Sequence, residues 1–248
     1  MALLEPNALM FLALMALCTG FIKGGLPAVG PLVSAAVTLW FPPRDALGIT
    51  VLLFLIGDSA AVYLYWRLAN WKELVRMLPP LIIGIAVGWV VLRSLDNHAL
   101  GLTIGGLVLA LVALEPLRPR LSKWALAHPA TASITSGWLA GVATTISNSA
   151  GPILNIYFLV LNLDKRSFIG TATIFFAIAN TVKVGAFAWQ GILQPHYFPS
   201  LAVMIPLVYL GAWCGRKFFE WIPQLWFNRV VLTLTAVAGV MLVANNLR

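Results

Sequence analysis

Apolar residues run along this chain in long blocks, separated by short polar and charged clusters. Six blocks, near 46–66, 75–93, 98–117, 168–189, 198–217 and 226–245, reach or approach the ~20 apolar residues that cross a bilayer as a helix. Two further apolar stretches, 7–40 and 128–162, are too long for one ordinary crossing. Each breaks midway, the first at "KGGLPAVGP" from Lys23 to Pro31, the second at "VATTISNSAGP" from Val142 to Pro152. Backbone that leaves the helix inside a bilayer must be buried in protein or line a watery cavity. The pattern predicts an all-α polytopic membrane protein with two broken helical segments.

The breaks recur within an internal repeat. Gly20 and Gly24 match Gly137 and Gly141 at an offset of 117. Gly30-Pro31-Leu32-Val33 matches Gly151-Pro152-Ile153-Leu154 at 121, and Arg44, Gly48 and Asp58 match Arg166, Gly170 and Asn180 at 122. The repeats are placed at 1–122 and 123–248. Paired Gly/Pro interruptions in two halves of a membrane protein point to a transporter's binding site.

Charge tests how the broken stretches run. If each crosses once, the two sides receive seven Lys/Arg apiece, and nothing orients the chain. If each dips in and returns as a hairpin with legs of roughly 13 to 18 residues, six crossings remain. One side then collects Arg67, Lys72, Arg76, Arg118, Arg120, Lys123, Lys165, Arg166, Arg216, Lys217 and Arg229, and the other keeps Arg44, Arg93 and Arg248. Eleven against three is a positive-inside signal. It favours hairpins, makes the halves inverted copies, and puts both termini outside.

Composition agrees. The chain of 248 residues is 60% hydrophobic and 10% charged, against about a quarter charged in soluble domains. The net charge of +8 falls in loops between spans, which excludes a nucleic-acid reading. Trp66, Trp71, Trp124, Trp221 and Trp226 flank the basic loops as interface anchors. Cys18 and Cys214 are read as buried thiols, and the N-terminus as lacking a removable signal peptide. His98, His128 and His196 form no metal or hydrolase motif. No catalytic residue, metal or cofactor is predicted.

The candidate chemistry is anion binding. Short helices beginning at Gly30-Pro31 and Gly151-Pro152 would point free N–H groups into the protein, a ready anion site. Intramembrane charge is costly, so Lys23, Asp58 and Lys183 should line a cavity or have partners, while Glu115 should snorkel or pair with Arg118. Lys183 lies one turn beyond Asn180, the repeat mate of Asp58. The expected substrate-binding set is Lys23, Gly24, Gly25, Gly30, Ser147, Asn148, Ser149, Gly151, Asn180 and Lys183, with Asp58 the candidate for proton coupling. The packing alternatives are plain helix kinks and an Asp58–Lys183 ion pair.

The stretch "GFIKGGLPAVGPL", its partner "GWLAGV…SNSAGPIL", and the spans "PPRDALGITVLLFLIGD" and "DKRSFIGTATIFFAIAN" resemble the TauE/SafE sulfite exporter (TSUP) family over essentially the whole chain. The second break departs from the family's glycine-rich form with Thr144, Thr145, Ser147, Asn148 and Ser149. The resemblance implies transport of sulfite, sulfoacetate or related anions across the bacterial inner membrane. The partners are then a small anion, the bilayer and, as an open option, a second copy in a homodimer. An anion channel and a non-transporting subunit of a larger complex remain alternatives.

Overall fold

Each apolar block becomes a helix whose ends the local sequence sets. The computed structural model describes residues 6–25, 30–96, 115–148, 150–161 and 163–223, with isolated positions between 99 and 113 and between 226 and 240. The helices are α1 (Pro6–Gly25), α2 (Gly30–Trp40), α3 (Pro43–Tyr65, continued by a 3-10 turn over Trp66–Leu68), α4 (Trp71–Ser94), α5 (Arg118–Ala127), α6 (Pro129–Ser147), α7 (Gly151–Val160), α8 (Lys165–Trp189) and α9 (Tyr197–Trp221). Pro43 opens α3 at a position where no N–H is needed. Asn70 and Asp164 cap α4 and α8, accepting from the Glu73 and Ser167 amides at 3.3 and 2.6 Å. Among the described residues, five helices are long and apolar enough to cross a membrane: α1, α3 with its 3-10 turn, α4, α8 and α9. The expected spans 98–117 and 226–245 lie largely outside the described residues.

Small residues decide which helices pair. Gly20, Gly24 and Gly25 of α1 face Val208, Ala212 and Gly215 of α9 so closely that a Cβ on Gly25 would stand 2.5 Å from the Gly215 carbonyl oxygen. Gly137 and Gly141 of α6 meet α4 in the same way, near Met77 and Leu81. Contacts advance together along both chains in each case, so α1 runs parallel to α9 and α6 parallel to α4. The glycine pairs of the partner helices, Gly84/Gly88 and Gly211/Gly215, share an offset of 127. Such small-xxx-small seams let backbones touch where no hydrophobic force drives helices together. Between the two seams α3 packs on α8. These two are the interior helices, 67% buried over their apolar windows against 39% for α4 and α9.

The short helices turn the chain back. Trp40 at the end of α2 stacks on Phe11 near the start of α1, ring centroids 4.7 Å apart. Tyr157 of α7 donates its hydroxyl to Glu73 Oε2 at 2.9 Å, beside the end of α4 where α6 began. The legs are unequal, 20 and 11 residues in the first stretch and 19 and 10 in the second, outside the roughly 13 to 18 residues expected for each. The long legs stay helical through Gly24 and Gly141 because the neighbouring backbone holds them there. The outer surface is apolar, with Met10, Val75, Ile83 and Val203 exposed alongside Trp66, Trp71, Trp124, Trp221 and Trp226. Of the two cysteines expected to be buried, Cys18 is half-buried and Cys214 exposed, an apolar outer surface suiting a thiol as well as a core does.

Candidate functional site

The first break ends on a buried ion pair. Lys23, in the last turn of α1, places Nζ 2.6 Å from Asp58 Oδ1 on α3, and both are almost wholly buried. Asn180 on α8 donates Nδ2 to the other carboxylate oxygen at 2.5 Å. The ammonium also lies 4.6 and 4.8 Å from the ring centres of Phe54 and Phe176. Gly57 makes room, since a Cβ there would meet Lys23 Cγ at 2.9 Å. One carboxylate therefore ties α1, α3 and α8 together, with its charge balanced.

The second break holds a lysine of a different kind. α6 ends as Asn148 turns into the left-handed region at φ 53°, which asparagine accepts more readily than other side-chain residues. The hydroxyls of Thr145 and Ser147 fold back on the Gly141 and Ala143 carbonyls at 2.8 Å. Lys183 on α8 is fully buried and donates to Thr144 O at 3.1 Å, Thr144 Oγ1 at 3.0 Å and Asn148 Oδ1 at 2.5 Å. All three acceptors are neutral. An ammonium can only donate, so it fixes the Asn148 amide with Oδ1 toward the lysine. Among the described residues, the buried Asn148 Nδ2 has no hydrogen-bond partner.

The two breaks meet. Lys23, Gly30, Pro31, Phe54, Thr144, Asn148, Gly151, Phe176 and Asn180 line one narrow space, too tight for a water molecule. Gly30 and Gly151 are the first residues of α2 and α7, so two helix N-termini open on this space. The Gly30 Cα lies close to the second break, its notional Cβ 3.9 Å from the Asn148 carbonyl oxygen. Asp58 pairs with Lys23, whereas Lys183 Nζ has only neutral acceptors among the described residues. An unpartnered amide donor beside two helix N-termini is the kind of arrangement from which anion sites are built.

The Asp58–Lys183 ion pair does not form, because Lys23 occupies Asp58 while Thr144 and Asn148 hold Lys183. Of the expected set, Lys23, Gly30, Asn148, Gly151 and Asn180 line the cavity. Lys183 stands behind Asn148, and Asp58 behind Lys23 and Asn180. Gly24 and Gly25 lie on the α9 seam instead, the Gly24 carbonyl accepting from the Tyr65 hydroxyl at 2.5 Å. Ser147 back-bonds within α6, and Ser149 lies outside the described residues. Phe54 and Phe176 went unread, although they share the offset of 122 with Asp58 and Asn180. Among the described residues, no three His, Cys, Asp or Glu side chains gather as metal ligands.

The comparisons bear on what such a site serves. The sequence profile of the family described as sulfite exporter TauE/SafE matches residues 12–242. The chain is 24% identical over 197 residues to a Comamonas testosteroni protein named Probable inner membrane transporter protein TsaS, an alignment covering 79% of this chain and 81% of that one. No solved structure matches the chain.

Proposed function

Because the chain belongs to the sulfite exporter TauE/SafE family of membrane transporters, we propose that it carries a small anion, sulfite or an organosulfonate, across a bacterial inner membrane by alternating access. The observation that carries this reading is the narrow cavity between α2 and α7, where, among the described residues, Asn148 Nδ2 lacks a partner and Lys183 has no carboxylate beside it. The relative's printed description as an inner membrane transporter is in keeping with the location.

The two halves, 1–122 and 123–248, are inverted repeats with one re-entrant hairpin each, and both termini lie outside. Support comes from the exchanged seams, α1 of one half running along α9 of the other and α6 along α4. It comes also from a shared cap. Arg44 donates to the Leu92 and Leu95 carbonyls at the end of α4, and Lys165 donates to Phe219 and Ile222 at the end of α9, acceptors 127 residues on. Rocking one half against the other would open the cavity to either side in turn.

Asp58 supplies the coupling. Its protonation dissolves the pair with Lys23 and frees that ammonium for the anion, so proton and anion bind together and travel together. A thermal-shift panel of purified protein against sulfite, sulfoacetate, taurine, thiosulfate and dicarboxylates tests the reading by mass action. Selective stabilisation by a sulfur oxyanion is expected. Stabilisation by none of them beyond chloride would refute it.

A further inference from the structure

A second hollow lies at the end of α3, where α8 begins and α9 ends. It holds about 620 Å³, within the range of small-molecule sites, and Arg67, Arg166, Arg216 and Glu220 line it with Tyr65 and Phe219. Tyr65 reaches from this hollow toward the first break, its hydroxyl donating to the Gly24 carbonyl next to Lys23. At the far end of α3, roughly 35 Å away at 1.5 Å per residue, a smaller hollow of about 330 Å³ is lined by Arg44, Arg93, Trp189 and Gln190.

The arginines of the two hollows are not equivalent. Arg44 and Arg166 are repeat mates, each second in its helix, where a cation opposes the helix dipole. Arg44 is accounted for by the carbonyls it caps. In the second half Lys165 does the capping, so Arg166 is released to line the larger hollow. Glu220 pairs with Arg216 at 3.3 Å on an exposed surface and offsets one charge of three. We infer that the hollow of Arg67, Arg166 and Arg216 is a collecting site for sulfonate-like oxyanions, loaded before the inner cavity or emptied after it, with Tyr65 closing the way between. It rests on the transport reading above. Loop arginines that only orient the chain need not converge on one concavity next to the end of the broken helix.

The test reads local anion concentration apart from flux. Leu64, which lines the hollow, is changed to Cys in a background lacking Cys18 and Cys214. Its modification rates by a sulfonate-bearing and an ammonium-bearing methanethiosulfonate are compared in detergent and in nanodiscs with anionic phospholipid. At low salt the sulfonate reagent should lead by roughly tenfold, the preference fading as salt rises. Arg166→Gln should lower the ratio and Glu220→Gln raise it, opposite signs that a folding defect would not produce. In oriented vesicles, Arg166→Gln should raise KM for sulfoacetate from this face alone, with maximal flux unchanged. A ratio near one, insensitive to both variants, would overturn the collecting site even if flux is normal. A preference abolished by anionic lipid would overturn it in favour of a headgroup site. The expected ratios with no flux of sulfite or sulfoacetate would retain the oxyanion site and refute the transport reading.

Discussion

The Lys23–Asp58 pair gives the sharpest energetic prediction. At 2.6 Å, and an effective dielectric of about 20, its attraction is on the order of 6 kcal/mol, most of which desolvation of the two buried charges offsets. The pair's net worth is therefore small, but each half alone is costly. Lys23→Met leaves the Asp58 carboxylate with only the Asn180 amide. Asp58→Asn leaves two buried ammonium groups near one cavity. Each single variant should lose about 3–5 kcal/mol of stability. The double variant Lys23→Met/Asp58→Asn should lie within about 1.5 kcal/mol of wild type, because neither charge is then stranded. Reversible unfolding in mixed micelles for all four proteins closes the cycle. A double variant as unstable as the sum of the singles would refute the pairing.

Three further outcomes follow from the same contacts. Gly141→Val places atoms on the Leu81 carbonyl and should cost about 1–3 kcal/mol, while Gly185→Ala, with open space around it, should be neutral or stabilising in the same melts. Asn148→Gly keeps the left-handed turn but removes both the free amide and an acceptor of the buried Lys183, so it should cost about 1–3 kcal/mol of stability while the anion's dissociation constant rises by about tenfold or more, as loss of a charged hydrogen bond implies. Proton coupling through Asp58 predicts that wild-type anion uptake into proteoliposomes strengthens as pH falls and that Asp58→Asn flattens this dependence; an unchanged pH profile would leave Asp58 a packing residue.

Much of this was legible because hydropathy and glycine spacing are local signals. The apolar blocks gave α3, α4, α8 and α9 within a few residues at most ends, and the Gly/Pro runs located both breaks. The partner of Asp58 was not legible. Spacing along α8 puts Asn180 and Lys183 on one face, yet which face α1 turns toward α3 depends on the Gly20–Gly25 seam with α9. The roles of neighbouring glycines were hidden for a related reason. Gly24 and Gly30 look alike in sequence, but one admits a helix backbone and the other opens a helix N-terminus on the cavity. Ala61 stands 122 residues before Lys183, so the internal sequence matches could not single out Lys183.

The central claim is that an anion sits between the two breaks and is held by the charge of Lys183. The most direct measurement is the dissociation constant of the stabilising anion for wild type and Lys183→Gln, by calorimetry on folded protein at one pH. Glutamine keeps much of the length and the polarity while removing the charge. Lys183 stands behind Asn148, so its charge acts on the anion through space; at roughly 6 Å and an effective dielectric of about 20 this is on the order of 3 kcal/mol, and the constant should rise by roughly tenfold to more than a hundredfold. An unchanged constant in a folded Lys183→Gln protein would contradict the claim.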